Sequence, residues 1–98
     1  MFTSALRRHL DDETYRALQL ALILRPTQGA IIQGGAGLRK LRWAAPGRGK
    51  RGGVRLIYYW EPESQTFYLL NLYAKNEQGD LTAAQLKILA KLVREEFI

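Results

Sequence analysis

Leu38–Trp43 (LRKLRW) and Val54–Trp60 (VRLIYYW) decide the fold of this 98-residue chain. In both runs, polar and apolar side chains follow a period of two residues, which is the period of a β-strand. Lys40 and Arg42 fall on one face of the first strand, whereas Leu41 and Trp43 fall on the other. In the second run Arg55 is likewise set apart from most of the large apolar side chains. The two runs therefore predict neighbouring strands that share one cationic face.

The segment before these strands predicts a helix and a loop. Acidic residues at positions 11–13 favour a helix start, and apolar side chains then recur at helical spacing. The Arg25-Pro26 pair ends this helix at about Leu24. A short helical stretch is predicted before it, over residues 3–9, and four glycines indicate a loop over residues 27–37.

The segment after the strands predicts a third strand and a C-terminal helix. Residues 61–65 form a turn, and Phe67–Tyr73 continue the sheet as an antiparallel meander of three or more strands. Thr82 and Gln85 form a capping box, with Leu81 and Leu86 as its hydrophobic staple. The apolar stripe of the last helix should pack on the sheet: Leu86, Leu89, Ala90, Val93 and Phe97. We therefore expect a single α+β domain over residues 1–98.

The net charge of +6 is a local feature of the chain. Seven of its fifteen Lys and Arg residues lie between Arg39 and Arg55, a stretch without Asp or Glu. A concentrated positive field with aromatic neighbours favours a polyanionic partner, RNA or DNA above all. The chain has no cysteine, which excludes disulfides and thiolate metal sites. It shows neither an apolar signal core nor a bilayer-spanning run, so we expect a cytoplasmic protein with no membrane partner.

Several motifs are better explained by structure than by chemistry. Residues 47–52 match the G-x-G-x-x-G spacing, but that fingerprint needs a helix directly after it, and here a strand follows. Arg51 stands where a Walker loop needs Ser or Thr. The acidic residues at 11–13 suit a helix start through its dipole alone. His9 is the single histidine, so a zinc site or a nucleophilic triad has little support. We predict no metal and no cofactor.

The cationic face of the predicted sheet is the candidate site. Lys40, Arg42, Arg55 and Tyr59 share this face by their period-two placement. Basic loops are often no more than solvated surface, but like charges packed on a sheet cost stability unless an anion offsets them. Phosphate suits the planar fork of Arg, and Tyr59 offers a stacking surface for a base. The other large aromatic residues of these strands are predicted to be core: Trp43, Tyr58 and Trp60.

Five segments carry a resemblance to a known family. They are LDDETY (10–15), GLRKLRW (37–43), PGRGKRGG (46–53), VRLIYYW (54–60) and LYAKNE (72–77). Together they resemble the HigB branch of the RelE/ParE-type bacterial toxins. The resemblance implies the toxin of a type II toxin–antitoxin pair, most often a ribosome-dependent endoribonuclease that cuts mRNA. It also implies a helix-turn-helix, HigA-like antitoxin as the partner.

The same resemblance implies roles for particular residues. In RelE-like members, basic residues of the sheet and the following loop act on the scissile phosphate; by motif position these are Lys40, Arg42 and Arg55, with Lys75 and Asn76 after the third strand. Members usually have a strand before the first helix, and we expect that strand to be missing or very short here. The family's C-terminal acid/base Tyr or His has no clear equivalent after Asn76.

The resulting hypothesis is metal-independent RNA cleavage, in which a 2′-hydroxyl attacks the neighbouring phosphate. Arg42 and Arg55 would stabilise charge on the phosphoryl oxygens, Lys40 would serve in proton transfer, and Tyr59 would stack a base or donate a hydrogen bond. Three residues of the basic loop would hold backbone phosphates of mRNA or ribosomal RNA: Arg48, Lys50 and Arg51.

Two other functions fit the same scaffold. A ParE-like inhibitor of DNA gyrase would have no nuclease activity, and it predicts DNA damage with intact mRNA. A plain nucleic-acid-binding module predicts no growth arrest and a binding affinity that falls steeply with salt.

Overall fold

The computed structural model describes residues 10–44, 53–74 and 79–97, which form one sheet between two helices. The elements are helix α1 (Asp12–Leu24), strands β1 (Ala30–Ile31), β2 (Arg39–Ala44), β3 (Gly53–Glu61) and β4 (Thr66–Ala74), and helix α2 (Ala83–Glu96). The sheet is antiparallel in the order β1-β2-β3-β4, which confirms the predicted α+β meander. The helical stretch predicted over residues 3–9 lies outside the described residues. The expectation that the family's first strand is missing or very short also concerns residues outside them.

Helix α1 begins where the acidic residues predict. The Asp11 side chain is the N-cap and accepts a hydrogen bond from the Thr14 backbone N–H at 2.7 Å. This bond holds the pKa of Asp11 below its ordinary value. Asp12 and Glu13 follow in the first turn, where negative charge is favourable. The acidic start of the helix is therefore structural, as predicted.

Strand β1 corrects the interpretation of residues 27–37 as loop alone. Ala30 pairs with Lys40 and Ile31 with Arg39, so a two-residue strand extends the sheet at the open edge of β2. Both residues of β1 are exposed. A strand this short shows no readable alternation, and the glycines around it dominate the pattern.

Each face of the sheet packs against one helix. On the α1 face, the buried side chains are Leu10, Leu18, Leu22, Leu41, Val54, Leu56, Tyr58 and Leu72. Trp43 and Trp60 are partly buried against this cluster, which agrees with their prediction as core together with Tyr58. On the α2 face, the buried side chains are Leu38, Ile57, Tyr73 and Val93.

Tyr58 fixes the α1–β1 connection to the sheet. Its ring is fully buried, and its hydroxyl donates to the Pro26 carbonyl at 2.8 Å and accepts from the Gly29 N–H at 3.0 Å. A Cβ at position 29 would lie 2.7 Å from the Tyr58 ring, so this close approach requires glycine. Burial raises the pKa of Tyr58. One tyrosine thereby holds the chain that leads into β1.

A bulge in β4 changes which side chains face each helix. Ile57 pairs with Asn71 and Tyr58 pairs with Leu69, so Leu70 has no partner across the strand pair. One extra residue reverses the alternation of every position that follows. As a result Tyr73 lies on the α2 face, directly opposite Arg55.

Helix α2 follows its predicted cap. The Thr82 side chain accepts from the Gln85 N–H at 3.1 Å, and the Gln85 side chain accepts from the Thr82 N–H at 3.0 Å. Four side chains of the predicted stripe pack in the α2-face cluster: Leu86, Leu89, Val93 and Phe97. The fifth, Ala90, is buried. Leu81 of the predicted staple also packs against this cluster. Among the described residues, no helix has the length and apolarity needed to cross a membrane.

Candidate phosphate-binding site

Lys40, Arg42 and Arg55 lie on the α2 face of the sheet. Arg42 and Arg55 are direct partners across β2 and β3, and Lys40 is opposite Ile57. Side chains directly opposite in an antiparallel pair have Cβ atoms about 5 Å apart. The alternation of β2 and β3 thus brings the three cations together, as their parity predicts.

Arg55 is the buried member of this group. The residue is 8% exposed, and within the described residues its one side-chain hydrogen bond is a 3.3 Å contact from Nη1 to the Val54 carbonyl. No carboxylate of the described part of the chain forms an ion pair with it. Gly53 leaves space beside the guanidinium, because a Cβ there would lie 3.3 Å from Nη1. A buried, unpaired cation is costly, so this arrangement favours a bound anion.

Arg42, Arg55 and Tyr73 form a row across strands β2, β3 and β4. Tyr73 lies opposite Arg55 on the side away from Arg42. Its hydroxyl donates to Asp80 Oδ1 at 3.3 Å. Burial is the main cause that raises the pKa of Tyr73 to about 12, and the Asp80 charge adds to it while Arg55 opposes it. The phenol is therefore protonated at neutral pH and acts as a hydrogen-bond donor.

Asp80 joins Tyr73 to Lys40. Its two carboxylate oxygens lie 3.3 and 3.4 Å from Lys40 Nζ, and Oδ1 also accepts from the Leu81 N–H at 2.8 Å. The Leu81 hydrogen bond first, and then Lys40, hold the pKa of Asp80 below its ordinary value. Asp80 is therefore a carboxylate anion at neutral pH.

A pocket of about 620 Å³ opens beside these residues. Its walls come from β1 and the loop before it, β2, the turn before α2 and the start of α2. They include Gln28, Ile31, Lys40, Arg42, Asp80 and Leu86. The volume falls in the range typical of small-molecule sites, about 300–1,000 Å³. Cations at one wall and aliphatic side chains at another suit a ligand with an anionic and an apolar part, such as a nucleotide.

The other predicted site residues are placed differently. Tyr59 lies on the same face as Arg55, but its ring stacks on Phe97 with centroids 5.1 Å apart and planes at 10°. One face of the Tyr59 ring is therefore covered. The predicted RNA contacts of the loops lie outside the described residues: Arg48, Lys50, Arg51, Lys75 and Asn76.

Sequence reasoning missed Tyr73 and Asp80. Tyr73 was predicted only as part of an apolar third strand, because the bulge that turns it toward Arg55 has no clear sequence signal. Asp80 precedes the capping box by two residues, and a carboxylate close to a cationic cluster could have been noted there. Within the ranges that the structure describes, no group of three or more His, Cys, Asp or Glu side chains is placed to hold a metal ion.

The fold and this site define a small α+β protein whose sheet carries a row of cationic side chains beside an open pocket. Residues 3–97 match the family model of the RelE toxin of the RelE/RelB toxin–antitoxin system. Because the match covers nearly the whole chain, the protein belongs to the RelE toxin family. Members of this family are toxins of type II toxin–antitoxin systems and pair with an antitoxin.

Proposed function

We propose that this protein is a HigB-like toxin that cleaves mRNA on the ribosome without a metal ion. The observation that carries the proposal is the buried guanidinium of Arg55, which has no carboxylate partner in the described structure and stands opposite Arg42. A folded protein that retains this unfavourable pair gains from it when a phosphate binds. Membership of the RelE family supports RNA as the source of that phosphate.

In the proposed reaction the 2′-hydroxyl of one nucleotide attacks the adjacent phosphate and expels the 5′-oxygen of the next. Arg42 and Arg55 bind the phosphoryl oxygens and stabilise the charge that develops on them. Lys40 serves in proton transfer. In the structure its ammonium contacts Asp80. Tyr59 remains in the proposal as a hydroxyl donor or a stacking partner at the far end of the face, with Phe97 stacked on one side of its ring.

The proposal also assigns partners. The basic loop residues and the pair after β4 bind backbone phosphates of mRNA or ribosomal RNA: Arg48, Lys50, Arg51, Lys75 and Asn76. The ribosome aligns the substrate, which lowers the demand on the acid/base groups of the toxin. A HigA-like, helix-turn-helix antitoxin neutralises the protein, and both act in the bacterial cytoplasm where translation occurs.

Controlled expression in bacteria tests this function. Primer extension on cellular transcripts should show new cleavage ends within translated codons for the wild-type protein. Lys40→Met and Arg55→Met should each reduce cleavage by about 100-fold or more, because each removes a charged group from the site. Arg16→Gln, a charge removal on the exposed face of α1, is the matched control and should cut like the wild type.

Two outcomes would replace the proposal. Intact transcripts together with DNA breaks at gyrase sites would indicate the ParE-like function. Intact transcripts, normal growth and binding that depends steeply on salt would indicate a plain nucleic-acid-binding module.

A further inference from the structure

The three cations of the site differ in their internal partners. Within the described residues, Arg42 and Arg55 have no carboxylate partner, whereas Lys40 contacts both oxygens of Asp80 at 3.3 and 3.4 Å. The Lys40 side chain is 24% exposed and that of Asp80 is 63% exposed. The internal ion pair of the site is thus within reach of a ligand in the pocket that both residues line.

Asp80 is held in this position by groups other than Lys40. Its Oδ1 accepts the Leu81 N–H at 2.8 Å and the Tyr73 hydroxyl at 3.3 Å. These neutral donors can keep the side chain near the pocket when Lys40 changes partner. The Asp80 carboxylate therefore places a negative charge beside the cations of the site.

We propose that Asp80 is an internal placeholder for phosphate: it binds Lys40 in the free protein, and an incoming phosphodiester takes over the Lys40 ammonium. A carboxylate and a phosphodiester each carry one negative charge and accept the same N–H donors. The two anions repel each other when they meet beside Lys40, so Asp80 weakens phosphate binding. The choice of an RNA phosphodiester as the ligand rests on the proposed function; the exchange of anions at Lys40 does not.

Asp80→Asn removes the charge and leaves the geometry in place. The asparagine side-chain oxygen can still accept from Leu81 and Tyr73. Asp80→Ser is a second uncharged variant with a short acceptor for the Leu81 N–H. Glu63→Gln is the matched control, because it removes one exposed carboxylate in the β3–β4 turn, at the far end of that hairpin from Arg55.

The probe is a fluorescent RNA oligonucleotide made uncleavable by 2′-deoxy substitution, measured by anisotropy at pH 7 and fixed salt. Asp80→Asn and Asp80→Ser should bind it about fivefold more tightly than the wild type, the size expected for one like charge about 4 Å away in a mostly solvated site. Glu63→Gln should change the dissociation constant by less than about 1.5-fold, because exposed charges beyond a Debye length are screened. Equal or weaker binding by both Asp80 variants than by Glu63→Gln would overturn the placeholder.

Inorganic phosphate separates this inference from the nuclease proposal. In nuclear magnetic resonance titrations, the Lys40 side-chain signals should respond to phosphate at a lower concentration in Asp80→Asn than in the wild type. If Asp80→Asn shows this stronger response and the wild-type protein leaves mRNA intact, the placeholder is supported and the nuclease proposal is refuted. If the wild type cleaves mRNA and its phosphate affinity equals that of Asp80→Asn, the nuclease proposal is supported and the placeholder is refuted.

Discussion

Replacing Arg55 with methionine should make the protein more stable and less active. Arg55 is buried, stands directly opposite Arg42 and has no carboxylate partner in the described structure. Like charges opposite each other cost about 0.2–1 kcal/mol. Exchanging buried charged groups for apolar side chains of similar volume is often neutral or gains about 1–4 kcal/mol. Because Arg55 keeps a hydrogen bond to Val54, we expect the free energy of unfolding to rise by about 1–2 kcal/mol, the lower part of that range.

Arg42→Met is the matched control for this effect. Arg42 is exposed, so its removal relieves the same cross-strand repulsion but no buried charge. Its free energy of unfolding should rise by no more than about 0.5 kcal/mol. Urea unfolding followed by tryptophan fluorescence measures both variants, since Trp43 and Trp60 pack against the core. Cleavage of mRNA should fall by about 100- to 1,000-fold in each, the usual loss when one donor to a developing oxyanion is removed.

The reasoning is refuted if Arg55→Met unfolds at lower urea than the wild type while Arg42→Met does not. That result would mean that the folded protein already stabilises the Arg55 guanidinium. Added phosphate provides an independent check, because a ligand that binds only the folded state raises the unfolding midpoint. Phosphate should stabilise the wild type more than Arg55→Met.

Two further predictions concern buried tyrosines. Tyr58→Phe should lower the free energy of unfolding by about 1–3 kcal/mol in urea titrations, because the buried Gly29 N–H loses its acceptor; an unchanged midpoint would show that this hydrogen bond is not needed. The pKa of Tyr73 rises from 10.0 to about 12 on folding, so the folded protein holds this proton more tightly and the stabilisation, complete below pH 10, is lost toward pH 12. Tyr73→Phe should therefore flatten the fall of unfolding free energy with pH between these values, and an unaltered slope would contradict the role of burial.

Strands β2, β3 and β4 could be predicted, and so could the faces of β2 and β3, because apolar side chains dominate the face toward α1. The alternation of Lys40 and Arg42 with Leu41 is visible in the sequence, and it places the two cations on the face that the register confirms. The N-terminal cap of α2 could also be predicted, because Thr82 and Gln85 have the spacing of a capping box.

The rest of the site depends on geometry that local sequence does not encode. With regular pairing from the β3–β4 turn, Leu72 would stand opposite Arg55; the unpaired Leu70 shifts the register by one and brings Tyr73 there instead. The position of Asp80 depends on how the chain returns from β4 to α2, which no periodicity describes. Strand β1 is defined only by its pairing with β2, so its part in the pocket appears only in three dimensions.

The core beneath α2 and the candidate site occupy the same face of the sheet. Ile57, fully buried under α2, lies directly opposite Lys40 and two positions along β3 from Arg55. A shift of α2 away from the sheet that enlarged the candidate site would expose Ile57 to solvent. A shift of α2 closer to the sheet would bury the cations further. Ala30 and Ile31 bound the same pocket with exposed side chains, so changes there carry little folding penalty. Under the proposed function, directed evolution of altered nucleotide preference should therefore accumulate substitutions in this edge strand rather than beneath the helix.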